Sequence, residues 1–213
     1  MNELTKRILT SILLIFLLIA MFVYNYIFIV IIIIFGTIIW VELYQMFTKI
    51  FKNNYLKTSV SFLTLIYIFY FLWLSMISLQ SSDTKIILLY TILICIISDI
   101  GGYSFGKTFK GKKLTKISPN KTISGVIGAL VSSLLLLIVF NFTIENINLI
   151  KYLILTLVVS SASQLGDIFI SYIKRKAKVK NTSDILPGHG GLLDRLDGII
   201  FGIPIGLNLA NLI

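Results

Sequence analysis

Seven long apolar runs, separated by short polar segments, constrain the fold of this 213-residue chain more than any other feature. They lie at about residues 8–23, 26–47, 58–79, 86–106, 122–141, 150–173 and 192–212. A helix needs about 20 apolar residues to cross the hydrocarbon core of a bilayer, and these runs have that length. They are also too long and too uniformly apolar for the alternating strands of a membrane barrel. The sequence therefore predicts an all-α, polytopic transmembrane helix bundle of about seven spans.

The composition excludes the soluble classes of protein. Apolar residues make up 57% of the chain and charged residues 13%, whereas soluble domains average roughly 45–50% and about 25%. The first run follows Lys6 and Arg7, but no small-residue cleavage site comes after it, so we expect a retained span and not a signal peptide. The single cysteine, Cys95, lies within an apolar run and excludes an intrachain disulfide.

The distribution of basic residues predicts the orientation of the spans. With a cytoplasmic N-terminus, 17 of the 19 Lys and Arg residues fall in cytoplasmic segments, and only Lys85 and Lys151 fall outside. Cytoplasmic loops collect Lys and Arg, so this partition supports seven spans with the C-terminus outside. The net charge of +10 then lies at one membrane face, where it would attract anionic headgroups or anionic ligands.

Five acidic residues lie in or at the ends of the runs, where a carboxylate costs about 2.5–3.5 kcal/mol on insertion scales. They are Glu42, Asp99, Asp167, Asp194 and Asp197. Asp99 and Asp167 lie at equal depth below the cytoplasmic boundary, so we expect them to share a site. Asp194 and Asp197 are three residues apart and share a helix face. These carboxylates either pair with nearby basic residues or bind a divalent cation, for which Mg²⁺ with substrate phosphates is favoured. Glu42 alone is expected to be structural.

Four motifs in the second half of the chain extend this interpretation. They are Ser98-Asp99-Ile-Gly-Gly-Tyr103 through Gly106-Lys107, Ser118-Pro-Asn-Lys121-Thr122, Gln164-Leu-Gly166-Asp167, and Ser171-Tyr-Ile-Lys174-Arg175 followed by Lys180 and Pro187-Gly-His189-Gly-Gly191-Leu-Leu-Asp194-Arg195-Leu-Asp197. Together they closely resemble the signature of the phosphatidate cytidylyltransferases, also called CDP-diacylglycerol synthases. The resemblance covers about the last 115 residues. It departs from the family pattern at Ser124, Ile170 and Asn181, where the family usually has an acidic residue.

The resemblance implies a reaction and a set of site residues. The phosphate of phosphatidic acid would attack the α-phosphorus of CTP, giving CDP-diacylglycerol and pyrophosphate for phospholipid biosynthesis. The implied catalytic residues are Lys174, His189, Asp194, Arg195 and Asp197. The implied substrate-binding residues are Lys107, Ser118, Lys121, Arg175, Lys180, Gly190 and Gly191. The implied metal ligands are Asp167, Asp194 and Asp197, with Asp99 as a further candidate.

These expectations extend to domain organisation, cofactor and partners. One membrane domain would cover residues 1–213, with N-terminal spans in 1–80 and catalytic spans and cytoplasmic loops in 86–213. The expected cofactor is Mg²⁺, with a second cation left open. The expected partners are CTP and membrane phosphatidic acid, without nucleic acid and with a homodimer left open. The expected location is the bacterial cytoplasmic membrane, with the active site facing the cytoplasm.

Other functions, and other roles for some of these residues, are also compatible with the sequence. A CTP-dependent kinase of a lipid alcohol such as a polyprenol or phytol would use similar residues, although the P-G-H-G-G-x-x-D-R-x-D string favours the cytidylyltransferase. An ion-coupled transporter could use Asp99 and Asp167 as cation sites, but the inverted repeat typical of such proteins is missing. His189 could be an ordinary turn residue, and Gly101, Gly102 and Gly106 could serve helix packing.

Overall fold

The structure, a computed structural model, describes residues 12–13, 16–115, 118, 121–144, 148–186 and 190–213. Residues 16–23 are helical, and the helices that follow are α1 (Asn25–Ile50), α2 (Asn54–Ile77), α3 (Ser82–Phe109), α4 (Ile123–Thr143), α5 (Leu149–Lys176), α6 (Leu193–Leu196) and α7 (Ile199–Leu212). Helices α1 to α5 are long and apolar enough to cross a membrane. The predicted all-α, multi-pass membrane protein is confirmed. The first predicted span, 8–23, lies partly outside the described residues.

The ends of the long helices follow from local chemistry. Asn53, Ser81 and Thr122 precede α2, α3 and α4, and each side chain accepts a hydrogen bond from a backbone N–H of the first turn. At their C-terminal ends, helices α3 and α5 extend three residues beyond the apolar runs that predicted them. Their last turns carry basic residues, among them Lys107 and Lys174, which the partial negative charge of a helix C-terminus favours.

The last predicted span is not one continuous helix. Helix α6 ends at Leu196, Asp197 and Gly198 form a turn, and α7 begins at Ile199. The Asp197 carboxylate accepts a hydrogen bond from the Gly198 N–H at 2.9 Å, and such local side-chain bonds compete with helix continuation. With 14 residues, α7 is about 21 Å long and is shorter than the hydrocarbon core.

The chain forms two compact units, each made from two separate stretches of sequence. The first comprises Met1–Leu79 and Ile173–Leu196, and the second comprises Gln80–Tyr172 and Asp197–Ile213. In the first unit, α1 packs on α2, and the Trp40 indole N–H donates to the Ser61 carbonyl oxygen at 3.3 Å. In the second unit, α3 contacts α5 through the hydrogen-bonded pair Tyr90 and Thr156, and its main packing partner is α4.

Glycines allow the close packing of α3 in the second unit. A Cβ atom built on Gly101 would lie 2.7 Å from the carbonyl oxygen of Gly128 on α4, which is closer than real Cβ contacts. On the other side, Gly202 and Gly206 of α7 face Cys95 and Thr91 of α3. These glycines therefore allow close helix packing. In membrane proteins, small residues at helix interfaces commonly let backbones approach in this way.

Candidate active site

The part of the last motif that lies between α5 and α6 belongs to the first unit. After α5 the chain reverses at Lys178, whose φ is 55°, and it returns to α6 at Leu193. The Leu186 N–H donates to the Gly190 carbonyl oxygen at 2.8 Å. Residues 187–189, including the predicted catalytic His189, lie outside the described residues. We call the described residues 181–186 and 190–193 the motif loop.

Asp194 joins the motif loop to the end of α5. Its Oδ1 pairs with Lys174 Nζ at 2.6 Å. Its Oδ2 accepts hydrogen bonds from the backbone N–H groups of Thr182 and Gly191, at 2.9 and 3.1 Å, and from the Thr182 hydroxyl at 3.2 Å. Burial by itself would raise the pKa of Asp194, but the hydrogen bonds and the charge of Lys174 outweigh it and hold the pKa below its usual value. Asp194 is therefore an anion that is stabilised by hydrogen bonds and by its ion pair with Lys174.

A second carboxylate, Glu42 of α1, binds the same loop. Its side chain is 1% exposed and accepts four hydrogen bonds. The donors are the hydroxyls of Thr182 and Ser183, at 2.9 and 2.5 Å, and the backbone N–H groups of Leu192 and Leu193, at 3.0 and 2.8 Å. The expectation that Glu42 is structural did not anticipate these partners. They lie about 140 to 150 residues away, so no spacing pattern could have revealed them.

The second unit brings together three of the predicted site residues. Lys121 Nζ pairs with Asp167 at 2.5 Å, and both side chains are partly accessible. Asp99 of α3 interacts electrostatically with both Asp167 of α5 and Lys121. Asp99 and Asp167, which were predicted to lie at equal depth, thus interact with each other. The positive charge of Lys121 partly offsets the repulsion between the two carboxyl groups.

A tight turn before α4 holds Lys121 in place. The Lys121 N–H donates to the Ser118 carbonyl oxygen at 3.1 Å, and the Lys121 carbonyl oxygen accepts from the Leu114 N–H at 2.8 Å. Thr122 then caps α4. Ser124, one of the departures from the family pattern, donates its hydroxyl to the Lys110 carbonyl oxygen and so links the start of α4 to the end of α3.

Asp197 lies in the second unit and is 7% exposed. Its carbonyl oxygen packs against α5, because a Cβ built on Gly166 would lie 2.8 Å from it. The backbone of Asp197 is therefore next to the residue that precedes Asp167. Ser171, one turn further along α5, donates to Asp167 Oδ1 at 3.4 Å.

The remaining predicted residues lie on exposed or glycine-rich segments. Arg175, Lys180 and Arg195 are exposed, and Lys107 lies 5.7 Å above the ring of Tyr103. Gly190 has a φ of 84°, which favours glycine. Gly191 is buried, and a Cβ there would lie 2.6 Å from Glu42 Oε1.

The donor set of the second unit suits Mg²⁺. Among the described residues, no three His, Cys, Asp or Glu side chains form a ready-made metal cluster. Mg²⁺ does not require one, since it is usually bound by one or two carboxylates together with water and substrate phosphates. Asp99 and Asp167, which interact electrostatically, provide hard oxygen donors of this kind. The participation of Asp197, and that of Asp194, which belongs to the first unit, stays a prediction.

Comparison with known proteins decides the family. The sequence model of the cytidylyltransferase family matches residues 2–212. The chain belongs to the cytidylyltransferase family. Three similar proteins, all named phosphatidate cytidylyltransferase, come from Staphylococcus haemolyticus (44% identical over 126 residues), Rickettsia felis (40% over 142) and Staphylococcus aureus (44% over 120). The resemblance that the motifs predicted is confirmed.

The alignments with these relatives are partial. They cover 58%, 62% and 55% of this chain, and 48%, 61% and 46% of the relatives from S. haemolyticus, R. felis and S. aureus. This cytidylyltransferase family member therefore spans about half of the length of two relatives and about three fifths of the third.

Proposed function

We propose that this protein transfers a cytidylyl group from CTP to phosphatidic acid, producing CDP-diacylglycerol and pyrophosphate. The match to the cytidylyltransferase family over residues 2–212 carries this proposal. The names of the relatives support phosphatidic acid as the acceptor. The five long apolar helices support an acceptor that is itself embedded in the membrane.

The reaction exchanges one phosphorus–oxygen bond for another. A phosphate oxygen of phosphatidic acid bonds to the α-phosphorus of CTP, and the bond from that phosphorus to the bridging oxygen of the β-phosphate breaks. Pyrophosphate leaves with the electron pair of the broken bond. A phosphomonoester is already ionised near neutral pH, so the reaction needs no strong general base. The protein must instead offset the repulsion between two polyanions and align them.

The basic side chains of the motifs are suited to this task. In the second unit, Lys121 is held by a tight turn next to Ser118, and Lys107 lies in the last turn of α3. In the first unit, Arg175 and Lys180 are exposed. We assign phosphate binding to these residues, with Arg175 able to make bidentate contacts.

Carboxylates complete the proposed site. Asp99 and Asp167 would hold Mg²⁺, and Asp194 and Asp197 stay predicted ligands. When bound, the cation would neutralise phosphate charge. Lys174 pairs with Asp194 and keeps that carboxylate oriented, so both act at the junction of α5 and the motif loop.

The proposed location is the bacterial cytoplasmic membrane, with the CTP site facing the cytoplasm. The relatives are bacterial, and 17 of the 19 basic residues fall on the side that the sequence predicts to be cytoplasmic. CTP is a cytoplasmic solute, and a basic membrane face would attract it.

Product analysis tests the proposed reaction. Purified protein is incubated with Mg²⁺, phosphatidic acid and CTP labelled at the α-phosphorus. We expect the label to move into a chloroform-soluble liponucleotide, with equimolar pyrophosphate in the aqueous phase.

A lipid-alcohol kinase would give different products from the same labelled CTP. The label would stay in the aqueous phase as CDP, and an added polyprenol or phytol would become phosphorylated. That result would replace the proposed transferase with the kinase.

Lys121→Met should reduce liponucleotide formation strongly, because Lys121 is assigned to phosphate binding. Lys85→Met, in the first turn of α3, is the matched control and should not reduce it.

A further inference from the structure

We propose that Glu42 is a positioning residue that holds the motif loop in the conformation needed for cytidylyl transfer. The catalytic part of this inference rests on the proposed function. Glu42 lies in the N-terminal spans, outside the four motifs. A segment without motif residues thus contributes to the site.

The hydrogen bonds of Glu42 join the two sides of the motif loop. Thr182 and Ser183 lie before residues 187–189, and Leu192 and Leu193 lie after them. One carboxylate thus binds residues on both sides of 187–189 at once. The Leu186 N–H also donates to the Gly190 carbonyl oxygen. Glu42 therefore links the described residues that precede 187–189 to those that follow them.

Burial makes these contacts difficult to replace. Glu42 is 1% exposed, and Leu193, Leu192 and Thr182 are 0%, 3% and 7% exposed. Water has little access to the two backbone N–H groups, and a buried N–H without an acceptor is costly. An ionised carboxylate has enough acceptor sites for all four donors, whereas an amide replaces one acceptor oxygen with a donor group.

The same contacts connect Glu42 to the predicted catalytic residues. Thr182 lies between two carboxylates, because its hydroxyl donates to Glu42 and its N–H donates to Asp194. Asp194 in turn pairs with Lys174. Among the described residues, Glu42 forms no hydrogen bond or ion pair with Asp194 or Lys174, so it would act through the loop.

Glu42 also accounts for one glycine of the motif. A Cβ on Gly191 would be closest to the Thr182 hydroxyl oxygen, and it would lie 2.6 Å from Glu42 Oε1 and 2.9 Å from the Ser183 N atom. The loop can close around the carboxylate only if residue 191 has no side chain. The requirement for glycine at this position therefore follows from contact with Thr182 and Glu42, without any need for contact with a phosphate.

Hydrogen–deuterium exchange tests the positioning without reference to activity. The full-length protein in detergent is compared with Glu42→Gln, and with Gln45→Ala as a matched control on an exposed position of the same helix. We expect exchange within residues 181–194 to become at least tenfold faster in Glu42→Gln. Exchange in α3 and α4, and exchange throughout Gln45→Ala, should stay as in the wild type.

Kinetics test the catalytic consequence. Glu42→Gln should lower kcat for CDP-diacylglycerol formation at least tenfold, while the Tm in detergent shows that the protein is still folded. In a Ser183→Ala background, which already lacks one of the four contacts, the further loss caused by Glu42→Gln should be smaller. Such coupling is expected only if Glu42 acts through the loop.

The outcomes separate this inference from the proposed function. Unchanged exchange in residues 181–194 would overturn the inference, and so would faster exchange with unchanged kcat. If the wild type makes no CDP-diacylglycerol, the proposed function fails, and the exchange data still decide whether Glu42 holds the loop. If Glu42→Gln does not fold, Ser183→Ala alone is measured, and locally faster exchange with a lower kcat is then required.

Discussion

At the scale of single residues, the candidate site is defined by three carboxylates and the groups that bind them. These carboxylates are Asp194, Asp167 and Glu42. Asp194 and Asp167 each pair with a lysine, and Glu42 accepts only uncharged donors. A buried ion pair adds little net stability, because desolvation of the charges offsets their attraction. Removing one partner, however, leaves the other charge uncompensated. Substitutions at these residues should therefore have effects well beyond those at exposed acids.

Asp194→Asn should reduce activity to less than a tenth of the wild-type value, which corresponds to more than about 1.4 kcal/mol in the activation free energy. The change keeps the side-chain volume but removes the charge that Lys174 and the loop N–H groups stabilise. Asp197→Asn should have a similar effect. Initial rates of liponucleotide formation by purified protein provide the measurement.

Asp184→Asn is the control for this pair of substitutions, because Asp184 lies in the same loop but is exposed. It should retain most of the activity. Retention of more than a tenth of wild-type activity by Asp194→Asn would contradict its assignments as catalytic residue and metal ligand.

Helix packing in the second unit depends on which face of α3 carries each glycine. Gly101 and Gly102 are adjacent in sequence, but their Cβ positions meet different surroundings. The Gly101 position faces the Gly128 carbonyl oxygen at 2.7 Å, whereas the nearest atom to the Gly102 position is the Gly125 carbonyl oxygen at 3.5 Å. A side chain at position 101 would therefore force α3 and α4 apart, whereas a Cβ at position 102 would make an ordinary van der Waals contact.

Gly101→Ala should therefore lower the Tm in detergent, with a cost of about 1–3 kcal/mol, the usual range for an overpacked interior. Gly102→Ala should leave the Tm near the wild-type value. Thermal unfolding of the two purified variants, side by side, measures the difference. Equal Tm values would show that the α3–α4 contact is not as close as described.

The elements differ in how far the sequence predicts them. Helices α1 to α5 follow from apolar runs, because crossing a bilayer imposes length and hydrogen bonding on each run separately. The turn at Asp197 and Gly198 was missed, since it depends on a local side-chain bond and on packing against Gly166. The motifs identified Lys121 and Asp167, but not that they pair. Glu42 and its loop are far apart in sequence, so their contact required the folded structure.

The predicted orientation concerns the molecule as a whole. In a Cys95→Ala background, single cysteines replacing Ser82 and Asn146 should react with an impermeant maleimide in intact cells. A cysteine replacing Thr115 should not, because it would face the cytoplasm. This orientation is expected because 17 of the 19 Lys and Arg residues fall in the segments predicted to be cytoplasmic, where basic residues collect. Labelling at position 115 from outside would overturn the N-inside arrangement.

The two-stretch composition of the first unit has a consequence for biosynthesis. Residues 1–79 of this unit emerge from the ribosome long before residues 173–196. Ribosomes add roughly 5–20 residues per second, so Glu42 waits on the order of ten seconds for the partners that satisfy its carboxylate. During that interval the early helices are inserted but incomplete. The first unit therefore acquires its fold only after residues 173–196 have been made, when the bulk of the second unit has already been synthesised.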